Sequence, residues 1–258
     1  MQTSPKSIKS AKDLKCCVII PTYNNDATLK SVIADVSQYI GDVIVVNDGS
    51  TDTTDEILSQ LEGISVISYK PNRGKGYALK QGFKSASGKG YSYAITIDSD
   101  GQHSASDINL FLTTIKEFPE SMLIGQRNLH QTNMPGGNTF ANKFSNFWYK
   151  LQTGINLPDT QSGFRLYPLK KLYKVHFLTT RYELELEILI RLAWRGVNII
   201  SLPINVYYPP SDERVSHFRP FWDFFRISLL NTYFTLLSFV YYHPKKLILN
   251  ISRIGSNK

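Results

Sequence analysis

Short apolar runs and helix-period segments alternate through the first half of the chain. Residues 16–20 form an apolar run closed by Pro21, which fits a strand with proline at its exit. Over 26–39 the apolar side chains recur at Leu29, Ile33 and Val36, the spacing of an amphipathic helix that Asp26 can cap. A second run at 42–46 is bounded by Asn47-Asp48-Gly49-Ser50, and a helix over 53–61 can start from Ser50 or Asp52. Strands are predicted at 64–69, 91–97 and 122–126, and Asn72-Arg73-Gly74-Lys75-Gly76 opens a helix running to residue 85. Beyond these, 138–151 and 184–196 read as helices, the latter with Gly196 as its C-terminal glycine, and 199–207 returns to a strand pattern.

Strands alternating with helices at this spacing predict an α/β fold with a mostly parallel sheet and helices on both faces. Such sheets take ligands at the carboxyl ends of their strands. The polar motifs fall there. Asp98-Ser99-Asp100 ends the apolar run 91–97, and alternation along an extended segment puts both carboxylates on one side, where they can share a divalent cation that holds a diphosphate.

After Pro209-Pro210 comes a polar, charged loop through Arg219, and then 224–242, almost wholly apolar with Arg226 as its only charge. This stretch of 19 residues is near the lower length for crossing a hydrocarbon core of about 30 Å. Asn231, Thr232, Thr235 and Ser238 interrupt it, so a helix lying on a membrane, or packing on a partner or a second copy, competes with a span. The favoured expectation is peripheral attachment to the cytoplasmic face, with His243-Pro244-Lys245-Lys246 at the boundary.

Composition narrows the classes. With 42% hydrophobic and 19% charged residues the chain is a folding protein rather than a disordered one. The two cysteines, Cys16 and Cys17, are adjacent on one strand, point to opposite faces and are expected to stay reduced. A net charge of +8 calls for an anionic partner. No aromatic and basic RNA-recognition motif accompanies that charge, so no nucleic-acid partner is expected. The first fifteen residues carry Lys6, Lys9, Lys12 and Lys15 without an apolar core, which reads as a flexible basic arm over 1–15 and not a secretory signal.

Three motifs in order carry a resemblance: Val18-Ile19-Ile20-Pro21-Thr22-Tyr23-Asn24, then Val45-Val46-Asn47-Asp48-Gly49-Ser50-Thr51-Asp52, then Asp98-Ser99-Asp100. Together they resemble the family 2 glycosyltransferases with the GT-A fold. Asp159-Thr160-Gln161-Ser162-Gly163-Phe164-Arg165 and the segment 183–189 are similar to the branch containing dolichol-phosphate mannosyltransferase and bacterial polyprenyl-phosphate glycosyltransferases. The resemblance spans 16–210 and leaves 211–258 as an acceptor-side loop with membrane-associating or partner-binding helices. The family's second motif more often reads Asp-Asp where this chain has Asn47-Asp48, and Asn138 and Ser216-His217 stand where the branch commonly has a basic residue and Ser-Lys.

The resemblance implies a nucleotide-diphosphate sugar donor, magnesium or manganese as cofactor, and inversion at the anomeric carbon. Pro21, Tyr23, Asn24 and Asp48 are then donor-binding, with Arg73 and Lys75 approaching the phosphates from a helix N-terminus. Asp98 and Asp100 hold the metal and Gln102 is a third contact. Acceptor chemistry stays open between two readings. A hydroxyl acceptor needs a base, for which Asp159 stands ready. A lipid phosphate is already ionised (second pKa about 6) and needs cations, for which Arg127, Arg165, Arg214 and Arg219 are available beside Ser216 and His217. Glu185 or Glu187 either orients Arg165 or the acceptor, or pairs with Arg181 or Arg191 across a helical turn. A non-catalytic sugar-nucleotide-binding subunit is the alternative of another class.

Overall fold

β1 (Cys16–Thr22) and β2 (Val43–Asn47) are buried at every position, as parallel strands covered by helices on both faces must be. They belong to a seven-stranded sheet in the computed structural model, which describes residues 5–128, 136–173, 175–208 and 219–248. The other strands are β3 (Ile64–Ser68), β4 (Tyr93–Thr96), β5 (Met122–Arg127), β6 (Arg165–Pro168) and β7 (Ile199–Ile204). Their order is β3-β2-β1-β4-β6-β5-β7, and every neighbouring pair is parallel except the two that involve β6. Thr22 lies beside Asn47 and Ile19 beside Thr96. The carboxyl ends of β1, β2 and β4 therefore meet at one edge.

The helices are α1 (Pro5–Asp13), α2 (Asp26–Ser37), α3 (Thr54–Ser59), α4 (Lys75–Gly88), α5 (Ile108–Glu117), α6 (Gly136–Thr153), α7 (Leu169–Leu172), α8 (Glu183–Trp194) and α9 (Pro220–Leu237). One core lies between the sheet and α4, α6, α8 and α9, with Leu79, Tyr149, Leu189 and Phe234 among its residues. The other lies beneath α1, α2, α3 and α5, with Ala11, Leu29, Leu58 and Phe111. Gly196 adopts φ +74 just past α8, the left-handed conformation that ends a helix. Cys16 and Cys17 are buried free thiols, and burial pushes Cys17 up to about 12.

Three expectations change. Residues 5–13 of the expected basic arm form a helix, because Ser7 and Ala11 share one face and are small enough to seat it against the body while the lysines point outward. β6 was not expected at all. It is only four residues long, and it enters the sheet antiparallel, so its amino end lies at the edge where the other strands end. α9 is not separate from the body, for its Leu230 and Phe234 sit in the first core.

Asp223, Leu230, Asn231, Phe234 and Ser238 are buried along one stripe of this last helix, which continues through a π turn at Ser238–Tyr242. Gln152 of α6 bonds the Asn231 carbonyl, the Asn231 side chain and Thr235, each at 3.1 Å. Asn231 and Thr235, two of the polar positions that interrupt the apolar stretch, are thus contacts with the body, whereas Thr232 is exposed and bonds Ser228 of its own helix. No helix among the described residues is long and apolar enough to cross a membrane.

Phe234 is fully buried, edge-on to Trp194 and beneath the Arg191 guanidinium. Phe234→Ala should lower unfolding free energy by about 3–5 kcal/mol. Denaturant unfolding measures this, and hydrogen exchange should show protection lost first in α9.

Candidate active site

A cleft of about 950 Å³ opens where β1, β2 and β4 end. Pro21, Tyr23 and Asn24 form one wall, Asp48, Pro71 and Asn72 the next, and Asp98 and Asp100 the floor, with Lys75, Arg181, Tyr182 and Arg219 completing it. Of the expected donor and metal residues, Pro21, Tyr23, Asn24, Asp48, Lys75, Asp98 and Asp100 all line this one space. Arg73 and Gln102 do not. The Arg73 guanidinium bonds the Tyr77 hydroxyl and lies over its ring, and the Gln102 carbonyl accepts from Tyr207 N–H.

Hydrogen bonds between strand-end loops build the walls. Asn24, at φ +48, accepts from Thr51 N–H at 2.8 Å and donates its own N–H to Ser50 at 2.9 Å. Asn25 and Thr28 fix the acidic loop through Ser99, at 2.7 and 2.6 Å. Asp48 accepts from Arg73 N–H, Gly74 N–H and the Asn72 carboxamide at 2.7–2.9 Å. The carboxylate thereby shapes the turn that carries Lys75, besides facing the cleft.

Asp98 and Asp100 are crowded together. Burial and the neighbouring Asp98 charge push the Asp100 carboxyl up to about 6. Burial would raise Asp98 as well, but Lys75 outweighs it and holds Asp98 below the usual carboxylate range. Among the described residues no three His, Cys, Asp or Glu side chains are grouped to hold an ion by themselves. Two hard carboxylates beside an open cleft fit a Mg²⁺ or Mn²⁺ whose remaining ligands come from a diphosphate and water.

The acids and arginines expected to do chemistry are mostly engaged elsewhere. Asp159 is fully buried and accepts from Arg127 Nε (2.7 Å), Nη2 (3.0 Å) and N–H (3.2 Å), from Asn142 (2.6 Å) and from Gln161 N–H (3.0 Å). Five donors exceed the roughly four acceptor positions of a carboxylate, so none is left to take a proton from an acceptor. Arg165 is likewise fully buried and donates to the carbonyls of Ser162, Thr160 and Glu185. It pins the turn before β6 to α8. Glu187 accepts from Leu178 N–H, Thr179 N–H, the Thr179 hydroxyl and Arg191 Nε, and caps that loop. Direct contact of Arg165 or Glu187 with reactants, expected from the motif, does not fit this geometry.

Glu185 differs, since it meets Lys75 at 3.0 Å. Arg219 is exposed and reaches the cleft at the start of α9. Arg214, Ser216 and His217 lie outside the described residues. Sequence reading passed over Asn72, Arg181 and Tyr182 as cleft residues, although Arg181-Tyr182 directly precedes the acidic start of α8 and that position was the available signal. His103 lies 5.4 Å from the Phe164 ring and bridges Val206, and burial pushes its imidazole down to about 4.

A mostly parallel sheet that gathers two adjacent acids, a wide cleft and several cations at its carboxyl edge is the arrangement of a GT-A sugar transferase. Residues 17–175 match the family described as glycosyl transferase family 2, and the chain belongs to that family as a glycosyltransferase. It is 30% identical to the UDP-N-acetylglucosamine–dolichyl-phosphate N-acetylglucosaminyltransferase of Methanococcus voltae over 213 residues, covering 74% of this chain and 85% of that one. It is 26% identical to the polyprenol monophosphomannose synthase of Mycolicibacterium smegmatis, over 73% of this chain and 76% of that one. In fold it is similar to glucosyl-3-phosphoglycerate synthase from Mycobacterium tuberculosis, solved with Mn²⁺, UDP and phosphoglyceric acid. The TM-score is 0.63 at 19% identity, over 90% of this chain and 81% of that one.

Burial alone would raise the Asp159 carboxyl; its bonds to Arg127 outweigh that and hold it below the usual range. A depressed carboxyl adds stability above the unfolded value near ~4 and loses it as pH falls through the lower folded value. Asp159→Asn, which leaves Arg127 buried without its anion, should cost about 3–5 kcal/mol at neutral pH. The gap from the parent protein in urea unfolding should narrow below pH ~4. A gap that does not change with pH would contradict this account.

Proposed function

We propose that the protein is a metal-dependent, inverting glycosyltransferase that moves a sugar from a nucleotide-diphosphate donor to a polyprenyl-type lipid phosphate at the cytoplasmic face of a membrane. The saturation of Asp159 carries this reading. A hydroxyl acceptor calls for a positioned general base, and Asp159, the acid expected to act as one, has no free lone pair left. A phosphate acceptor arrives ionised and needs cations, which Arg219 and Arg181 offer at the cleft. The dolichyl phosphate in the name of one relative and the polyprenol monophosphomannose in the name of the other agree with this choice.

Tyr23 and the Asp48 turn are placed to hold base and ribose, and Lys75 the diphosphate. Asp98 and Asp100 would hold a divalent ion, which would supply charge neutralisation to the leaving diphosphate. The acceptor oxygen attacks the anomeric carbon from the side opposite the breaking bond, whose electron pair leaves on the diphosphate, and configuration inverts.

The outward side of α9 and its continuation supports membrane attachment. Trp222, Phe225, Leu229, Leu236, Phe239, Val240, Leu247 and Ile248 are all exposed, with Lys245 and Lys246 beside them. Such a surface is suited to the headgroup boundary of an anionic leaflet. A double substitution of Trp222→Ser and Phe225→Ser should reduce co-sedimentation with phosphatidylglycerol vesicles without lowering the melting temperature. Unchanged binding would remove this surface from the proposal.

Transfer itself is tested with radiolabelled nucleotide sugars and polyprenyl phosphate in detergent. Lipid-phosphate-linked product should form, should vanish in excess EDTA, and should be absent with Asp98→Ala or Asp100→Ala. Transfer to a hydroxyl-bearing lipid with no lipid-phosphate product would overturn the acceptor. Full turnover in EDTA would overturn the metal.

A further inference from the structure

Resting on the donor site proposed above, we infer that Glu185 is a positioning residue for the donor: it holds the Lys75 ammonium beside Asp98 at the diphosphate position, and does not work on the acceptor. Lys75 Nζ lies 2.7 Å from Asp98 Oδ1 and 3.0 Å from Glu185 Oε2. All three side chains are at most about a quarter exposed, at 17%, 27% and 9% for Lys75, Asp98 and Glu185. Glu185 itself is not at the cleft surface, whereas Lys75 and Asp98 are. Its reach into the site runs through the lysine.

The backbone is fitted around this ion group. A Cβ on Gly76 would fall 2.5 Å from the Arg181 carbonyl oxygen and 2.7 Å from Leu184 Cβ, so only glycine lets the start of α4 close on the start of α8. Tyr77 N–H bonds the Thr180 carbonyl at 2.7 Å across the same contact. On the other side, a Cβ on Gly163 would meet Asp98 Oδ2 at 2.5 Å and Lys75 Nζ at 2.9 Å. Lys75 is thus walled in by α8 and by the turn before β6, and points at one place.

Charge counting explains why a second acid is needed. Asp98, Asp100 and Glu185 carry three negative charges against two from Lys75 and the buried Arg165, whose Nε lies 3.9 Å from Glu185, so the excess negative charge sits at Asp98 and Asp100, where a divalent ion is proposed. Without Glu185 the ammonium keeps Asp98 as its one carboxylate partner and turns its whole charge onto the residues proposed to hold that ion. With it, the ammonium is shared between two carboxylates, 2.7 Å from Asp98 and 3.0 Å from Glu185, and is fixed between them as a second cation beside the diphosphate position.

The test is calorimetry of the full chain with UDP, GDP and the matching monophosphates, with and without Mn²⁺. Glu185→Gln should weaken diphosphate binding by roughly ten- to hundredfold while monophosphate binding stays near the parent value, so the ratio between the two narrows. A general loosening of the fold would weaken both alike. The pair Lys75→Met with Glu185→Gln should bind no more weakly than Lys75→Met alone, because Glu185 acts through the lysine. Glu185→Asp should recover part of the loss, and melting curves check that each variant is folded. Normal diphosphate binding by Glu185→Gln with slow transfer would return Glu185 to the acceptor and overturn the inference, as would additive losses in the pair. If the parent protein binds none of the nucleotides under either condition, the donor site itself fails and the inference with it.

Discussion

A carboxylate taken out of water must be given donors or a cation, and the carboxyl edge of this sheet collects five acids under that rule. Asp48 is satisfied by two backbone N–H groups and a carboxamide, Asp159 by a bidentate arginine with three further donors, and Asp98 and Glu185 share one lysine, with Arg165 3.9 Å from the second Glu185 oxygen. Each solution fixes a piece of backbone: the turn into α4, the end of β5 against the approach to β6, and the contact of α4 with α8. Asp100, held by the N–H of Gln102, is left with its acidity weakened by burial and by its neighbour. Where the other four acids organise the protein, the fifth keeps capacity for something from outside.

The central strands were legible from composition alone because parallel strands buried on both faces must be apolar throughout, as β1 and β2 are. The acidic pair was legible because it directly follows such a run. β6 was not: Arg165-Leu166-Tyr167-Pro168 is short, begins with a charge and ends with proline, and its place depends on pairing with β4 and β5. The seating of α1 was hidden by its lysines, since Ser7 and Ala11 carry little hydropathy signal.

At the site, residue type was readable and occupancy was not. Asp159, Arg165 and Glu187 were singled out as charged residues in a suggestive motif. Yet what they do is set by partners far away in sequence, such as Arg127 for Asp159, or by backbone groups that no pattern of side chains reveals, such as the N–H groups of Leu178 and Thr179 for Glu187. The outer side of α9 was legible as apolar, while the stripe that docks it depends on Gln152 and the first core, which only the fold brings near.

The acidic loop has a second strand for a neighbour. Gln102 accepts from Tyr207 N–H, His103 bridges Val206, Ser104 N–H bonds Asn205, and Asp107 clamps Asn205 through both backbone and side chain at 2.7 and 3.0 Å. Residues 102–104 and 205–207 are in effect one two-ply strap, although a hundred residues separate them in the chain. For anyone exchanging parts between relatives, the unit of transplantation is this strap. A segment after β7 grafted without its matching partner from the acidic loop would carry a foreign register into the loop that bears Asp98 and Asp100, so the two segments are mechanically inherited together.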